Sequence, residues 1–274
     1  MIVFPNAKIN IGLHIIGKRP DGYHDIETVF YPIGLADILE VIENKDSNGN
    51  GIEFSSSGIA IPGNDKDNLC IKMYYRIKED YQLPHVKIHL HKMIPVGAGL
   101  GGGSSDAAFF IKVLNDLFRL KLSNEKKVFY AQWAGSDCSF FIENKTAYAE
   151  EKGEKLSLLS VELKSYYLIL LNPGIHISTV EAYSGVIPKL PEESLRQLII
   201  ERNFIEWKEV IKNDFESNIF KKYNELSRLK EGLYAAGAVY ASMSGSGSSI
   251  YGIFKEKPQL GPDLSKYFIW EELL

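Results

Sequence analysis

The sequence predicts an α+β fold of two subdomains with a ligand cleft between them, and three observations carry that prediction. Val86-Lys-Ile-His-Leu-His91 alternates apolar and polar residues, then passes through a glycine-rich loop into Ala107-Ala-Phe-Phe-Ile-Lys-Val-Leu-Asn-Asp-Leu-Phe118, which is apolar at helical spacing. Strand signals dominate up to Leu159, and helical material is richer beyond it. A chain of 274 residues is long enough for a full core and two subdomains, placed here at 1–159 and 160–274.

Taken in order, Ala7-Lys-Ile-Asn-Ile-Gly-Leu-His-Ile-Ile16 is the first strand. Ile9, Ile11, Leu13 and Ile15 share its core face, while Lys8, Asn10, Gly12 and His14 share a face that is either solvated or a site. Lys18-Arg-Pro-Asp-Gly-Tyr-His24 is a turn by its Pro, Asp and Gly. Strands follow over 25–31 and 37–43, then a polar hairpin tip over 46–51. Asp67-Asn68 caps a helix running to Tyr81, and Ser123 caps one ending near Gly135. A hairpin around Lys152-Gly153 spans 146–159, and the unbroken apolar run Tyr166-Tyr-Leu-Ile-Leu-Leu171 is a buried strand. Helical material lies over 191–212 and 224–235, and strands over 238–242 and 248–254 are joined by Ser242-Met-Ser-Gly-Ser-Gly-Ser248.

The loop Pro95-Val96-Gly97-Ala98-Gly99-Leu100-Gly101-Gly102-Gly103-Ser104-Ser105 is the most informative stretch. Side-chain-free backbone that opens a helix presents unpaired N–H groups backed by the positive end of the helix dipole, which is an anion site and most often a phosphate site. Ser104 and Ser105 can cap the helix or offer a hydroxyl to phosphate or Mg²⁺. No Lys-Ser/Thr pair follows the glycines, which excludes a P-loop of the G-x-x-x-x-G-K-[ST] kind. Gly97, Gly99 and Gly102 satisfy G-x-G-x-x-G, but where a dinucleotide fold needs a second strand the chain has Arg119-Leu-Lys-Leu-Ser-Asn-Glu-Lys-Lys127, a helix end and a new cap.

Composition narrows the class further. A formal charge of −4 argues against a nucleic-acid binder. No run is long enough to span a membrane, and the start lacks the features of a signal peptide. Cys70 and Cys138 are two cysteines far apart, which fits a reducing cytoplasm. His85, His89 and His91 share a strand face with Lys87 and suggest a metal site. Imidazoles on one strand splay too widely for a tetrahedral ion, so a solvated outer face is the reading adopted.

The pattern from Pro95 to Ala108, P-x-G-x-G-L-G-G-G-S-S-D-A-A, resembles the phosphate loop of the GHMP kinases, the superfamily of galacto-, homoserine, mevalonate and phosphomevalonate kinases. Within it, Asn6-Ala-Lys-Ile-Asn-Ile-Gly-Leu13 with the Arg19-Pro-Asp-Gly-Tyr-His24 turn resembles the family of kinases acting on 4-diphosphocytidyl-2-C-methylerythritol. The Gly-Glu-His that follows the first strand of galactokinases and mevalonate kinases is absent. Resemblance is close over the first 150 residues, and beyond them rests on Pro173-Gly-Ile-His-Ile-Ser-Thr179 and Met243-Ser-Gly-Ser-Gly247.

What the resemblance implies is a GHMP-kinase-like fold and transfer of the γ-phosphoryl of ATP, with Mg²⁺, to the 2-hydroxyl of 4-diphosphocytidyl-2-C-methylerythritol. By matching position, Asp137 corresponds to the family's catalytic aspartate and Lys8 to the lysine beside it. Asn10 matches a contact to the methylerythritol part, Tyr23 and His24 match cytosine contacts, and Tyr183 falls where an aromatic covers the base's other face. Asn68 and Lys92 match adenine-pocket positions, with a helix cap and a solvated lysine as their plainer alternatives. The Met243–Gly247 turn is expected to pack against the phosphate loop. The usual G-A-D-[VI]-P becomes Gly135-Ser-Asp-Cys-Ser139 here, losing a proline that would fix the backbone. Cys138 reads as a buried small hydrophobe whose place beside Asp137 leaves room for reactivity. A relative that binds nucleotide without turnover is the alternative; its mark would be loss of Asp137 or Lys8, and both are present. The sequence names no protein ligand for Mg²⁺.

Overall fold

The computed structural model describes residues 1–45 and 51–274. The hairpin tip expected over 46–51 lies, Gly51 apart, outside the described residues. In chain order the strands are β1 (Ile2–Val3), β2 (Asn6–Lys18), β3 (His24–Ala36), β4 (Ile38–Glu43), β5 (Ile52–Gly58), β6 (Val86–Lys92), β7 (Ala147–Glu150), β8 (Lys155–Leu158), β9 (Tyr167–Leu171), β10 (Tyr240–Met243), β11 (Ile250–Phe254) and β12 (Phe268–Leu273). The helices are α1 (Leu69–Asp80), α2 (Gly102–Leu117), α3 (Asn124–Ala134), α4 (Phe140–Glu143), α5 (Thr179–Tyr183), α6 (Leu195–Glu201), α7 (Trp207–Val210), α8 (Glu216–Lys222), α9 (Asn224–Ala235) and α10 (Pro262–Ser265). This is the mixed α+β content expected. By compactness the chain forms one unit from Met1–Ala7, Gly34–Val96 and Gly101–Lys145, and another from Lys8–Ile33, Gly97–Leu100 and Thr146–Leu274.

The first unit is built on the sheet β1-β4-β6-β5, whose β5–β6 pair is parallel. The alternation in 86–91 does what its period requires. Val86, Ile88 and Leu90 are buried. His89 and His91 point to the other face, where their ring nitrogens meet the hydroxyls of Ser55 and Ser57 at 2.9 Å. The Asn68 side chain accepts from Cys70 N at 2.9 Å and starts α1, which buries Cys70, Met73, Tyr74 and Ile77 on one stripe. Helix α2 starts at Gly102, five residues before the apolar run. Gly101, at φ 71°, is its N-cap, and no side chain caps the helix. Ser104 and Ser105 therefore lie inside the first turn and do not cap it, which corrects one of the two roles expected of them.

The second unit carries the sheets β2-β3-β7-β8 and β10-β11-β9-β12. The predicted hairpin is β7–β8, antiparallel with Glu150 opposite Lys155. Strand β9 is central to its sheet and buried from Leu168 to Leu171, as its unbroken apolar run requires. Helix α9 lays Leu226, Leu229 and Leu233, all buried, against this sheet. Each such side chain contributes about 1.5–3 kcal/mol on removal from water. The face of β2 opposite its apolar residues is also inside the protein, with Lys8, Asn10 and His14 buried. That excludes the solvated reading of this face, and a buried lysine must be paired.

Candidate active site

In the second unit Lys8 lies at the centre of a polar cluster. Its side chain is 3% exposed, and Nζ donates to Asn10 Oδ1 at 2.5 Å and to the Gly99 carbonyl at 3.1 Å, lying 5.0 Å from the Phe30 ring centroid. Asn10 passes its own amide protons to Thr28 Oγ1 at 2.8 Å, and Thr28 donates to the Gly12 carbonyl at 2.6 Å. Main-chain bonds fix the strand on both sides: Asn10 N donates to Ser244 Oγ at 3.2 Å and Tyr251 OH donates to the Asn10 carbonyl at 2.7 Å. Ser244 Oγ also donates to the Gly99 carbonyl at 2.8 Å. A Cβ on Gly99 would lie 1.9 Å from the Ser244 carbonyl oxygen, so only glycine admits this approach. The Met243–Gly247 turn thus packs on the glycine loop, as expected.

The Arg19–His24 turn is closed by Arg19 N donating to the Tyr23 carbonyl at 2.8 Å and by an Arg19–Asp25 ion pair at 2.6 Å. Tyr23 is 61% exposed, which removes the possibility that it is a core aromatic. The Lys152 ammonium stands 5.2 Å from its ring centroid, a neighbour that sequence reasoning did not single out. His24 stacks on Tyr183 at 4.5 Å with 15° between the planes, and Phe215 meets the same tyrosine edge-on at 4.9 Å. Of the residues expected around a base, His24 and Tyr183 are therefore in contact, and Tyr23 is in open reach.

In the first unit the amides of the opening turn of α2 are presented by Gly101, Gly102 and Gly103. A Cβ on Gly102 would meet Ile94 at 2.9 Å and Lys92 Nζ at 3.2 Å. Lys92 is not a solvated lysine. It is 3% exposed, with Nζ ion-paired to Asp37 and, at 2.9 Å, to Asp106 Oδ2. Asp37 accepts in addition from Met93 N at 2.6 Å and Ile94 N at 2.9 Å. Burial works against the Lys92 charge, but the two carboxylates outweigh it and hold its pKa above the ordinary lysine value. Burial pushes Asp106 the other way for an acid, up to about 7, against the pull of Lys92. Sequence reasoning gave no role to Asp37, which belongs to no motif, or to Asp106, which lies inside the Pro95–Ala108 pattern. The plainer alternative for Asn68 is also present, since it caps α1.

Asp137 is in the single turn Ser136–Ser139 that follows α3. The turn lacks the family's proline and is closed by hydrogen bonds: Cys138 N donates to the Gly135 carbonyl at 3.1 Å and Ser139 Oγ to the Ser136 carbonyl at 3.0 Å. Cys138 is fully buried and hydrogen-bonded with Ser104, and burial pushes its thiol up to about 12. It is a packing residue, and the reactivity left open for it does not arise. Ser105 Oγ is buried without a hydrogen-bond partner. Among the described residues no group of three or more His, Cys, Asp or Glu side chains is placed to hold a metal.

Two family models match the chain: that of the GHMP kinases N terminal domain over residues 68–144, which holds the glycine loop and Asp137, and that of the GHMP kinases C terminal over 195–264. The chain is 51% identical to a 4-diphosphocytidyl-2-C-methyl-D-erythritol kinase of Cytophaga hutchinsonii over 94% of each chain. The chain belongs to this family of GHMP kinases. A Bacteroides fragilis protein of the same name is 48% identical over 95% of this chain and 94% of its own. The crystal structure of a 4-(cytidine 5'-diphospho)-2C-methyl-D-erythritol kinase superposes with a TM-score of 0.78 at 29% identity, covering 99% of this chain and 98% of that one. Among the described residues no helix is long and apolar enough to cross a membrane.

Proposed function

We propose that this kinase transfers the γ-phosphoryl group of ATP to the 2-hydroxyl of 4-diphosphocytidyl-2-C-methyl-D-erythritol, in the non-mevalonate route to isoprenoid precursors. The observation that carries this reading is the 51% identity, over 94% of both chains, with a relative of that name. In the proposed roles, backbone N–H groups of Gly97–Ser105 and the positive end of the α2 dipole hold the nucleotide phosphates. Asp137 accepts the hydroxyl proton as the oxygen–phosphorus bond forms, and Lys8 supplies a fixed positive charge from a buried cluster. Tyr23 and Tyr183 cover the faces of the cytosine, His24 reads its edge, and Asn10 contacts the methylerythritol part. Asn68 and Lys92 border the adenine.

Mg²⁺ bound with ATP neutralises charge on the phosphates. The fit within this chain is the Ser105 hydroxyl, a buried oxygen without a partner in the first turn of α2, of the hard-donor kind that this ion takes. Ser105, with Ser104, would hold it. We place the enzyme in the cytoplasm on the support of two free, buried cysteines. An ADP-release assay tests the substrate: turnover is expected with the cytidyl alcohol and not with mevalonate, homoserine or galactose. Preference for any of the other three would overturn the reading.

A further inference from the structure

The turn that carries Ser244 is filled by glycine and serine and closes on itself through two backbone bonds, Gly247 N donating to the Ser244 carbonyl at 3.0 Å and Ser244 N to the Ser249 carbonyl at 2.9 Å. It is gripped from outside by Asn213, which is 2% exposed. Asn213 Nδ2 donates to the carbonyls of Met243 and Gly245, both at 2.8 Å, and Oδ1 accepts from Phe215 N at 3.0 Å. These bonds use both amide protons and the oxygen, and they fix which way the amide faces. Asn213 is itself anchored to β2, with Leu13 N donating to the Lys212 carbonyl and Asp214 N to the Leu13 carbonyl, each at 2.9 Å. Glu216, one helical turn on, accepts from Met243 N at 2.8 Å and Ser242 Oγ at 3.1 Å, and pairs with Lys230 at 2.6 Å.

The chain of contacts then runs forward. The turn delivers Ser244 Oγ to the Gly99 carbonyl, the same oxygen that receives the Lys8 ammonium. A Cβ on Gly245 would lie 3.3 Å from both Asn10 Oδ1 and the Gly99 carbonyl, so the turn backs the whole Lys8–Asn10–Gly99 cluster. We propose that Asn213 is a positioning residue for phosphoryl transfer: by holding two carbonyls of the Ser242–Ser248 turn it fixes Ser244, and through Ser244 the Gly99 carbonyl that orients Lys8. The inference rests on the reading of Lys8 as a catalytic group. A buried amide between two carbonyls cannot be replaced by a carboxylate of the same shape, because three acceptor oxygens would then face one another.

A double-mutant cycle tests it, with Asn213→Asp, Ser244→Ala and the double variant beside wild type. Each is measured for kcat, both KM values, urea stability and affinity for a non-hydrolysable ATP analogue by calorimetry. Asn213→Asp is expected to lower kcat by about 100-fold, the scale of a misplaced catalytic group, with a smaller change in KM for the cytidyl alcohol. Because Asn213 acts through Ser244, the double variant should be within about threefold of the worse single variant. Should Asn213→Asp fail to melt cooperatively, Asn213→Gln, which keeps the amide one methylene out of place, takes its position in the cycle and is judged in the same way. Independent, multiplying effects would overturn the inference, as would a folded Asn213 variant with kcat within threefold of wild type. If wild type binds the nucleotide but leaves the cytidyl alcohol unphosphorylated, the proposed function fails, and coupling in the nucleotide affinities then decides the role of Asn213 by itself.

Discussion

Lys92 Nζ lies 2.9 Å from Asp106 Oδ2, with both side chains buried and Asp37 on the lysine's other side. One buried cation faces two carboxylates, so one carboxylate is short of a full counter-charge. Asp106 bears the consequence, with its second oxygen unpartnered and its pKa up to about 7 through burial. An acid whose folded pKa is raised keeps its proton in the folded state after the unfolded chain has released its own. Its contribution to stability is therefore fully present below about pH 4 and is lost as pH rises through about 7. Urea unfolding should show wild type losing stability between pH 5 and pH 8 relative to Asp106→Asn, which has no proton to release. Parallel curves for the two proteins would refute it.

Gly101→Val tests the phosphate loop. Gly101 is the N-cap of α2 at φ 71°, a region closed to a β-branched side chain. The substitution should distort the amides of the first turn and weaken ATP by about 10-fold or more, leaving affinity for the cytidyl alcohol near that of wild type. Calorimetry with each ligand on the folded variant decides it, and unchanged ATP affinity would remove the loop from the nucleotide site.

Asp137→Asn keeps the shape of the side chain in a turn closed by the Cys138 amide and the Ser139 hydroxyl, so the fold and nucleotide affinity should be retained. Loss of a general base lowers kcat by roughly 10²–10⁴-fold. Turnover within threefold of wild type would end the assignment. In the same protein Cys138 should resist iodoacetamide at pH 8 until the chain is unfolded, because its thiol is fully buried and raised to about 12.

Legibility in the sequence followed the range of the interactions. Strand β6, helix α1 with its Asn68 cap, and the β7–β8 hairpin were readable because periodicity and turn chemistry are local. The start of α2 is not legible because glycine and serine give no helical signal, and only the left-handed Gly101 reveals where the turn begins. Strand β5 was not anticipated: Ser55, Ser56 and Ser57 offer no alternation, and the strand exists because β6 pairs with it in parallel register. Edge strand β12 takes its place beside β9 through a bulge between Phe268 and Trp270, which breaks any period-two pattern. The same limit applies to the site. Lys8, Asp137 and the loop belong to recognisable motifs, whereas Asn213 and Asp37 act on partners 30 or more residues away and look ordinary in the chain.

The proposed contacts to the cytosine are tested at Tyr23 and His24. Tyr23 leaves the turn at 61% exposure, with its ring beside the Lys152 ammonium. Stacking of a base on an aromatic face contributes about 1–3 kcal/mol. Tyr23→Ala should therefore raise KM for the cytidyl alcohol by roughly 10-fold or more, with KM for ATP and Tm nearly unchanged. His24 differs because its ring already stacks on Tyr183 at 4.5 Å. His24→Ala removes that pair, worth about 0.5–1.5 kcal/mol beyond area burial, and so should lower Tm slightly as well as narrow the preference for cytosine over a uridine analogue. Both KM values and a melting curve, measured on each variant, test the contrast. A parallel rise in the two KM values of Tyr23→Ala, together with a lowered Tm, would show that the tyrosine supports the fold and does not hold the base.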